Sequence, residues 1–116
     1  MTNNAPIRLS IIIPAFNEQE TILRVLERIN DQTIDDVSFQ IIVVDDGSTD
    51  KTAEIVDANN DLYSIFIRQK PNQGKGAAVK AGLEAARGEY VLFQDADLEY
   101  DPAEYERLLI PVLRFQ

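Results

Sequence analysis

Four short apolar runs, each closed by a polar turn and followed by helical spacing, constrain this chain more than any other feature. Residues 9–13, closed by Pro14, form the first run and residues 39–44 the second. Both have the near-continuous β-branched apolarity of strands covered on two faces. Residues 63–67 and 90–93 supply the third and fourth. Between them, Ile22, Leu23, Leu26 and Ile29 recur at helical spacing. Residues 51–59 carry Ile55 and Val56 on one face, and residues 77–87 form an alanine-rich helix stopped by Gly88. Asn17 is placed to cap the first helix, with Glu20 closing a capping-box exchange, and Ser48 or Thr49 to cap the second. Asp101 caps a last helix with Pro102 at its first position, and Pro111 kinks or ends it. Alternation of strand and helix with short connections predicts an α/β fold: a parallel sheet with helices on both faces, joined by right-handed crossovers.

Composition narrows the functions open to such a sheet. The chain has 116 residues, about the size of one domain, and 45% of them are apolar, which supports one hydrophobic core. There is no cysteine, so neither a disulfide nor a thiolate metal site can form. The lack of histidine excludes a Ser-His-Asp triad and a zinc–histidine site within these residues. A net charge of −9 argues against nucleic-acid binding, which needs clustered Lys and Arg. The same charge means that a phosphate-bearing ligand must be met by a recruited cation or by backbone N–H groups. Apolar runs such as residues 41–44 fall far short of the ~20 residues that span a bilayer. Residues 1–6 are polar and lack a signal-peptide layout, so a soluble cytoplasmic chain is expected.

In an open parallel sheet, ligands bind beyond the carboxyl ends of the strands, where strand order reverses. At those ends stand Pro14, Ala15, Phe16, Asn17 and Glu18; then Asp45, Asp46 and Gly47; then residues 70–76; then Asp95, Ala96 and Asp97. Asp95 and Asp97, at i and i+2 after a buried strand, can diverge toward a metal and a sugar hydroxyl or metal-bound water. Glu99 could add a ligand. Hard cations such as Mg2+ and Mn2+ prefer these oxygens and share coordination with substrate phosphates. The competing reading of residues 95–101 is a solvated turn with a helix cap. Residues 45–50 read as a tight turn and N-cap, with Asp45 assigned to the turn and Asp46 to ligand contact. Gly74, Lys75 and Gly76 open a helix whose N–H groups could approach an anion, although Lys75 also reads as an ordinary exposed lysine. The segment is not a P-loop, and Val79 stands where a dinucleotide fingerprint would need glycine. Tyr90 and Phe93 are expected in the core, and Tyr100 and Tyr105 in surface packing.

Four blocks together, residues 10–18, 43–50, 72–76 and 94–97, resemble family 2 glycosyltransferases in order and spacing. Residues 95–102 resemble most the dolichol- or polyprenyl-phosphate sugar transferase branch, of which dolichol-phosphate mannosyltransferase is typical. The resemblance implies a Rossmann-like sheet forming the N-terminal, nucleotide-binding half of a GT-A fold, with residues 1–116 as its nucleotide-sugar-binding part. It places Pro14, Ala15, Phe16 and Glu18 around the nucleotide, with Asp46 on the base. Gly74 and Lys75 would lie near the phosphates. Asp95 and Asp97 would bracket the metal and diphosphate, with Glu99 a third ligand. It implies an inverting transfer from a nucleotide-sugar, GDP-mannose or UDP-glucose, to a lipid-phosphate acceptor, with Mg2+ or Mn2+.

That family's fold continues past Gln116, so the chain is expected to be a C-terminally truncated piece that binds donor and metal but transfers sugar poorly. Its catalytic base or acceptor site would lie beyond Gln116, and the longer parent could meet its lipid acceptor at the cytoplasmic face of a membrane. An unpaired sheet edge and the apolar Leu108, Leu109, Val112 and Leu113 would favour self-association. The alternatives are a non-catalytic nucleotide-binding or regulatory α/β module, a phosphoacceptor receiver domain and a purely structural α/β domain. A receiver would carry its acidic pair after the first strand, where Asn17 and Glu18 stand instead.

Overall fold

The computed structural model describes residues 7–97 together with residue 102. Strands β1 (Ile7–Ala15), β2 (Val37–Asp45), β3 (Ile65–Arg68) and β4 (Tyr90–Phe93) form one sheet in the order β3-β2-β1-β4. Every pairing is parallel. Helix α1 (Ile22–Asn30) leads from β1 to β2, and α2 (Thr52–Ala58) from β2 to β3. Helix α3 (Lys75–Ala85) carries the chain back across the sheet to β4. The strand order therefore reverses between β1 and β4, as expected for a doubly wound sheet.

The two faces of β1 explain its unbroken apolar run. Leu9, Ile11, Ile13 and Ala15 pack with Ile22, Val25, Leu26 and Ile29 of α1 and with Val56 of α2. Ile12 faces the other way, where it joins Ile42 and Val44 of β2 against Ala78 of α3. Helix α3 lies close to the sheet because its inner side is small. A Cβ on Gly82 would come within 2.5 Å of Ile12 Cγ2.

Two polar side chains interrupt this second face. Ser10 Oγ donates to Gln40 Oε1 at 2.6 Å, and both residues are buried. Gln40 Oε1 also accepts the Arg87 N–H at 2.8 Å, and Ser10 Oγ the Gly88 N–H at 2.8 Å. The pair thus holds the chain as it leaves α3.

Several expected boundaries differ. Pro14 does not close β1, which continues to Ala15 alongside β2. Helix α3 starts at Lys75, two residues before the expected Ala77, because Gly74 (φ 97°) supplies the turn into it. Gly88 does not stop that helix, which has ended by Ala86. Its bareness instead lets the chain approach β1, since a Cβ there would meet Arg8 O at 2.7 Å. Strand β3 begins at Ile65 rather than at Tyr63, the chain entering it from a 3-10 turn (Asn60–Leu62) through residues 63 and 64. Tyr90 and Phe93 are 38% and 46% exposed rather than core: among the described residues β4 pairs with β1 alone, and only its Leu92 joins the α1 cluster. The predicted last helix with Asp101 and Pro111, the tyrosines 100 and 105, and the apolar residues 108, 109, 112 and 113 lie outside the described residues. Pro102 is buried.

The glycines of α3 give opposite expectations. Gly82→Ala should lower stability by about 1–3 kcal/mol, because the new methyl must displace Ile12. Gly76→Ala, whose Cβ meets nothing within 4 Å, should raise stability by about 0.5 kcal/mol. Equal effects of the two in urea denaturation would contradict the close approach of α3.

Candidate functional site

The described residues form a cleft at the point where strand order reverses. It is lined by Pro14, Ala15, Phe16 and Glu18 after β1 and by Asp46 after β2. Lys75 and Ala78 of α3 and Asp95, Ala96 and Asp97 after β4 complete it. It opens there because β1 outlasts β4. The Gln94 N–H bonds to Ile12 O at 2.9 Å, the last such contact on that side of β1 among the described residues. Pro14, two residues on, faces the same side past the end of β4, where a missing N–H costs the ladder nothing. Phe16 is 44% exposed at the mouth.

Each carboxylate at the strand ends has a distinct environment. Asp45 is fully buried, and its carboxylate accepts the Ser48 hydroxyl and, at 3.2 Å, the Ser48 N–H, which closes the turn as assigned. Asp46 is 4% exposed, and its two oxygens accept the Gln73 and Gly74 N–H groups at 2.8 and 2.9 Å. Asp46, assigned to ligand contact, thus holds the loop that starts α3. Asn72 Nδ2 donates to Asp46 O at 3.0 Å in the same junction. Gly47 (φ 73°) makes room for it, since a Cβ there would lie 2.6 Å from Asn72 N. Gly74 does not line the cleft, and it acts through this contact and as the cap of α3.

Asn17 does not cap α1. It adopts φ 51°, and its Oδ1 accepts the Thr49 and Asp50 N–H groups at 2.8 and 3.3 Å, joining the β1 loop to the β2 loop. Asparagine tolerates this left-handed conformation better than most residues. Helix α1 starts instead from a turn in which Glu18 O accepts the Thr21 and Ile22 N–H groups, so no capping box with Glu20 forms. Neither Ser48 nor Thr49 caps α2, whose N-cap position is Lys51; just before it, Asp50 Oδ1 accepts the Thr52 N–H at 2.9 Å.

Sequence reasoning missed three positioning side chains. Thr52 Oγ1 accepts the Glu18 N–H at 2.8 Å, and Thr21 Oγ1 donates to Ala96 O at 2.5 Å, tying α1 to the segment between Asp95 and Asp97. Gln94, fully buried, donates from Nε2 to Asp95 O at 3.1 Å. Polar residues beside a strand end were the available signal, but nothing in their spacing named their partners.

The charges in the cleft oppose one another. Burial, then the charges of Asp97, Asp50 and Asp95, push the Glu18 carboxyl above its ordinary value. For Asp50, burial acts in the same direction, but hydrogen bonds from Thr52 and Gln19 outweigh it and leave its carboxyl below the ordinary value. Lys75 is the one basic residue among the described lining, with Nζ 3.4 Å from Asp95 Oδ1. These surroundings suit a hard divalent cation at Asp95 and Asp97, because such an ion relieves crowded carboxylates. Among the described residues, no group of three or more His, Cys, Asp and Glu could enclose an ion. Glu99 lies outside the described residues.

The cleft encloses about 150 Å³, below the roughly 300–1,000 Å³ of complete small-molecule sites. Among the described residues, no helix is long and apolar enough to cross a membrane.

Sheet order and the acidic cleft at its reversal point define an α/β domain of the GT-A type. The pattern of Glycosyl transferase family 2 matches residues 10–114, and the chain belongs to that family. It is similar to a dolichyl-phosphate β-glucosyltransferase of Trichomonas vaginalis, with 40% identity over 101 residues, covering 80% of this chain and 31% of that protein. It is also similar to an undecaprenyl-phosphate 4-deoxy-4-formamido-L-arabinose transferase of Yersinia pestis, with 35% identity over 114 residues, covering 94% and 35%. Among solved structures, glucosyl-3-phosphoglycerate synthase of Mycobacterium tuberculosis, in complex with Mn2+, uridine diphosphate and glucosyl-3-phosphoglycerate, superposes with a TM-score of 0.75. It is 30% identical, covering 95% of this chain and 41% of that one. The chain spans about a third of the length of the curated relatives it matches.

Two substitutions test this electrostatic description. Glu18 is protonated more readily in the folded chain than in the unfolded one, so its charge destabilises the fold as pH rises through its raised value. Glu18→Gln should therefore raise the melting temperature at pH 7.5, with the gain fading as pH falls below that value. A gain independent of pH would contradict the repulsion. Asp46→Asn should lower stability by about 2 kcal/mol without any ligand present, because an amide nitrogen cannot accept the Gln73 or Gly74 N–H. An unchanged urea midpoint would show that those bonds hold nothing.

Proposed function

We propose that this chain is the donor-binding part of a glycosyltransferase that moves a sugar, with inversion, from a nucleotide-sugar to a polyprenyl or dolichyl phosphate. The observation that carries this reading is the cleft at the strand-order reversal, where an apolar rim of Pro14, Ala15 and Phe16 adjoins Asp95 and Asp97. The rim offers apolar surface to a base and ribose. Asp46 keeps a second lone pair on each oxygen, so it can accept a base N–H while still holding the α3 loop. Lys75 and the start of α3 aim positive charge at the phosphates. A divalent cation, Mg2+ or Mn2+, held by Asp95 and Asp97 would supply Lewis-acid stabilisation of the negative charge that builds on the departing nucleoside diphosphate.

The acceptor's chemistry accounts for the simplicity of this set. A lipid phosphate is already an anion at neutral pH, so its oxygen attacks the sugar's anomeric carbon without first losing a proton. The relatives named for dolichyl and undecaprenyl phosphate support that acceptor class, and solved relatives holding uridine diphosphate in one case and GDP-mannose in another support a nucleotide-sugar donor, GDP-mannose or UDP-glucose. The proposal includes donor binding without efficient turnover by these residues alone, since they span about a third of the length of the relatives they match. An acceptor in lipid would place the parent enzyme at a membrane surface.

Thermal melting with UDP, GDP, UDP-glucose, GDP-mannose and NAD, each with and without Mn2+, tests the proposal. A ligand that binds only the folded chain raises the melting temperature by mass action. The guanosine or the uridine ligands should do so in a metal-dependent manner, and Asp97→Ala should abolish the metal-dependent part. Stabilisation by NAD alone, or by no nucleotide in a folded sample, would count against a nucleotide-sugar site here.

A further inference from the structure

We infer that Lys75 couples the two ligands of the cleft: its ammonium holds Asp95 until a diphosphate arrives, then moves to the diphosphate and leaves Asp95 to the divalent cation. The inference rests on the donor-site reading above.

Lys75 is the first residue of α3, and its backbone is anchored next door by the Gly74 N–H on Asp46. Its side chain is 72% exposed and touches Asp95 through one contact of 3.4 Å. Such a long, solvent-exposed, single-point pair is weak enough to be exchanged. Across the cleft stand four lining carboxylates, Glu18, Asp46, Asp95 and Asp97, with Lys75 as the single described counter-charge. Asp46 is committed to backbone N–H groups. A cation arriving alone must therefore displace the ammonium from Asp95 or share the carboxylate with it. A diphosphate arriving alone can recruit the ammonium only by leaving Asp95 without a counter-charge beside Glu18 and Asp97. When both arrive, the cation takes Asp95 and the ammonium takes phosphate oxygens, and each charge is met. Each ligand thus favours the other, and the linkage is reciprocal.

Isothermal titration of this chain, Lys75→Gln and Lys75→Arg with Mn2+ alone, UDP alone, and each in the presence of the other measures the coupling. Thermal melts without ligand establish that all three are folded. In the unmodified chain UDP should tighten Mn2+ binding about tenfold or more. Lys75→Gln should bind Mn2+ alone about two- to fivefold tighter, the size of a released surface ion pair. It should bind UDP in the presence of Mn2+ about tenfold more weakly. Its coupling factor should fall accordingly, and Lys75→Arg, which keeps the charge, should retain most of the coupling. A Lys75→Gln variant that binds Mn2+ no tighter or keeps the full coupling overturns the assignment to Lys75. So does an arginine variant that behaves like glutamine. An unmodified chain that takes up neither Mn2+ nor UDP defeats the donor-site reading itself and this inference with it.

Discussion

Strand β1 is hydrogen-bonded along its whole length to β2, but to β4 only as far as Ile12, and the cleft exists because of that difference. Three more residues carry β1 past its neighbour to Ala15, deep enough in the sheet to be rigid and open enough on one side to meet a ligand. The helices on both faces of β1 leave it no freedom to bend. Pro14 fits this position because, among the described residues, nothing on the β4 side asks for its missing N–H. Proline here serves the sheet and the opening together.

The acidic residues at the strand ends form two populations. Asp45, Asp46 and Asp50 each accept backbone N–H groups and fasten one loop to the next element or to another loop. Glu18, Asp95 and Asp97 line the cleft beside Asp46, and there Glu18 is burdened by its neighbours' charge. The first population builds a floor from three separate connections, with Asn17 and Thr52 as cross-links between the β1 and β2 ends. The second would be a poor use of charge in a purely structural domain. The same loops that bring these carboxylates together also prevent them from relaxing apart.

The sheet's parallel alternation and the members of the cleft were legible in the sequence, because both follow from patterns local to each strand. A two-faced apolar run announces a central strand, and the residues just past it must reach the carboxyl end. Caps were less legible. Asn17, Ser48, Thr49 and Asp50 are all competent helix caps by composition, and only the meeting of two loops decides that Asn17 bonds across to Thr49 while Asp50 serves α2. The hold of Asp46 on the α3 loop was hidden for the same reason, since its partners Gln73 and Gly74 lie far along the chain. Tyr90 and Phe93 misled because an aromatic strand reads alike whether it has one neighbour or two.

The buried pair Ser10 and Gln40 adds something that apolar packing in this sheet cannot. β1 and β2 are rich in isoleucine and valine, and a slip of one strand past the other would still find apolar partners in most places. Ser10 stands directly opposite Gln40, and that alignment alone lets hydroxyl, amide and the two backbone N–H groups of Arg87 and Gly88 satisfy one another. A shift by one residue would turn Gln40 into the α1 cluster and strand the Ser10 hydroxyl without a partner, a heavy penalty away from water. The pair works as a vernier mark for the two central strands, so that the residues at their far ends, Ala15 and Asp45, come out level.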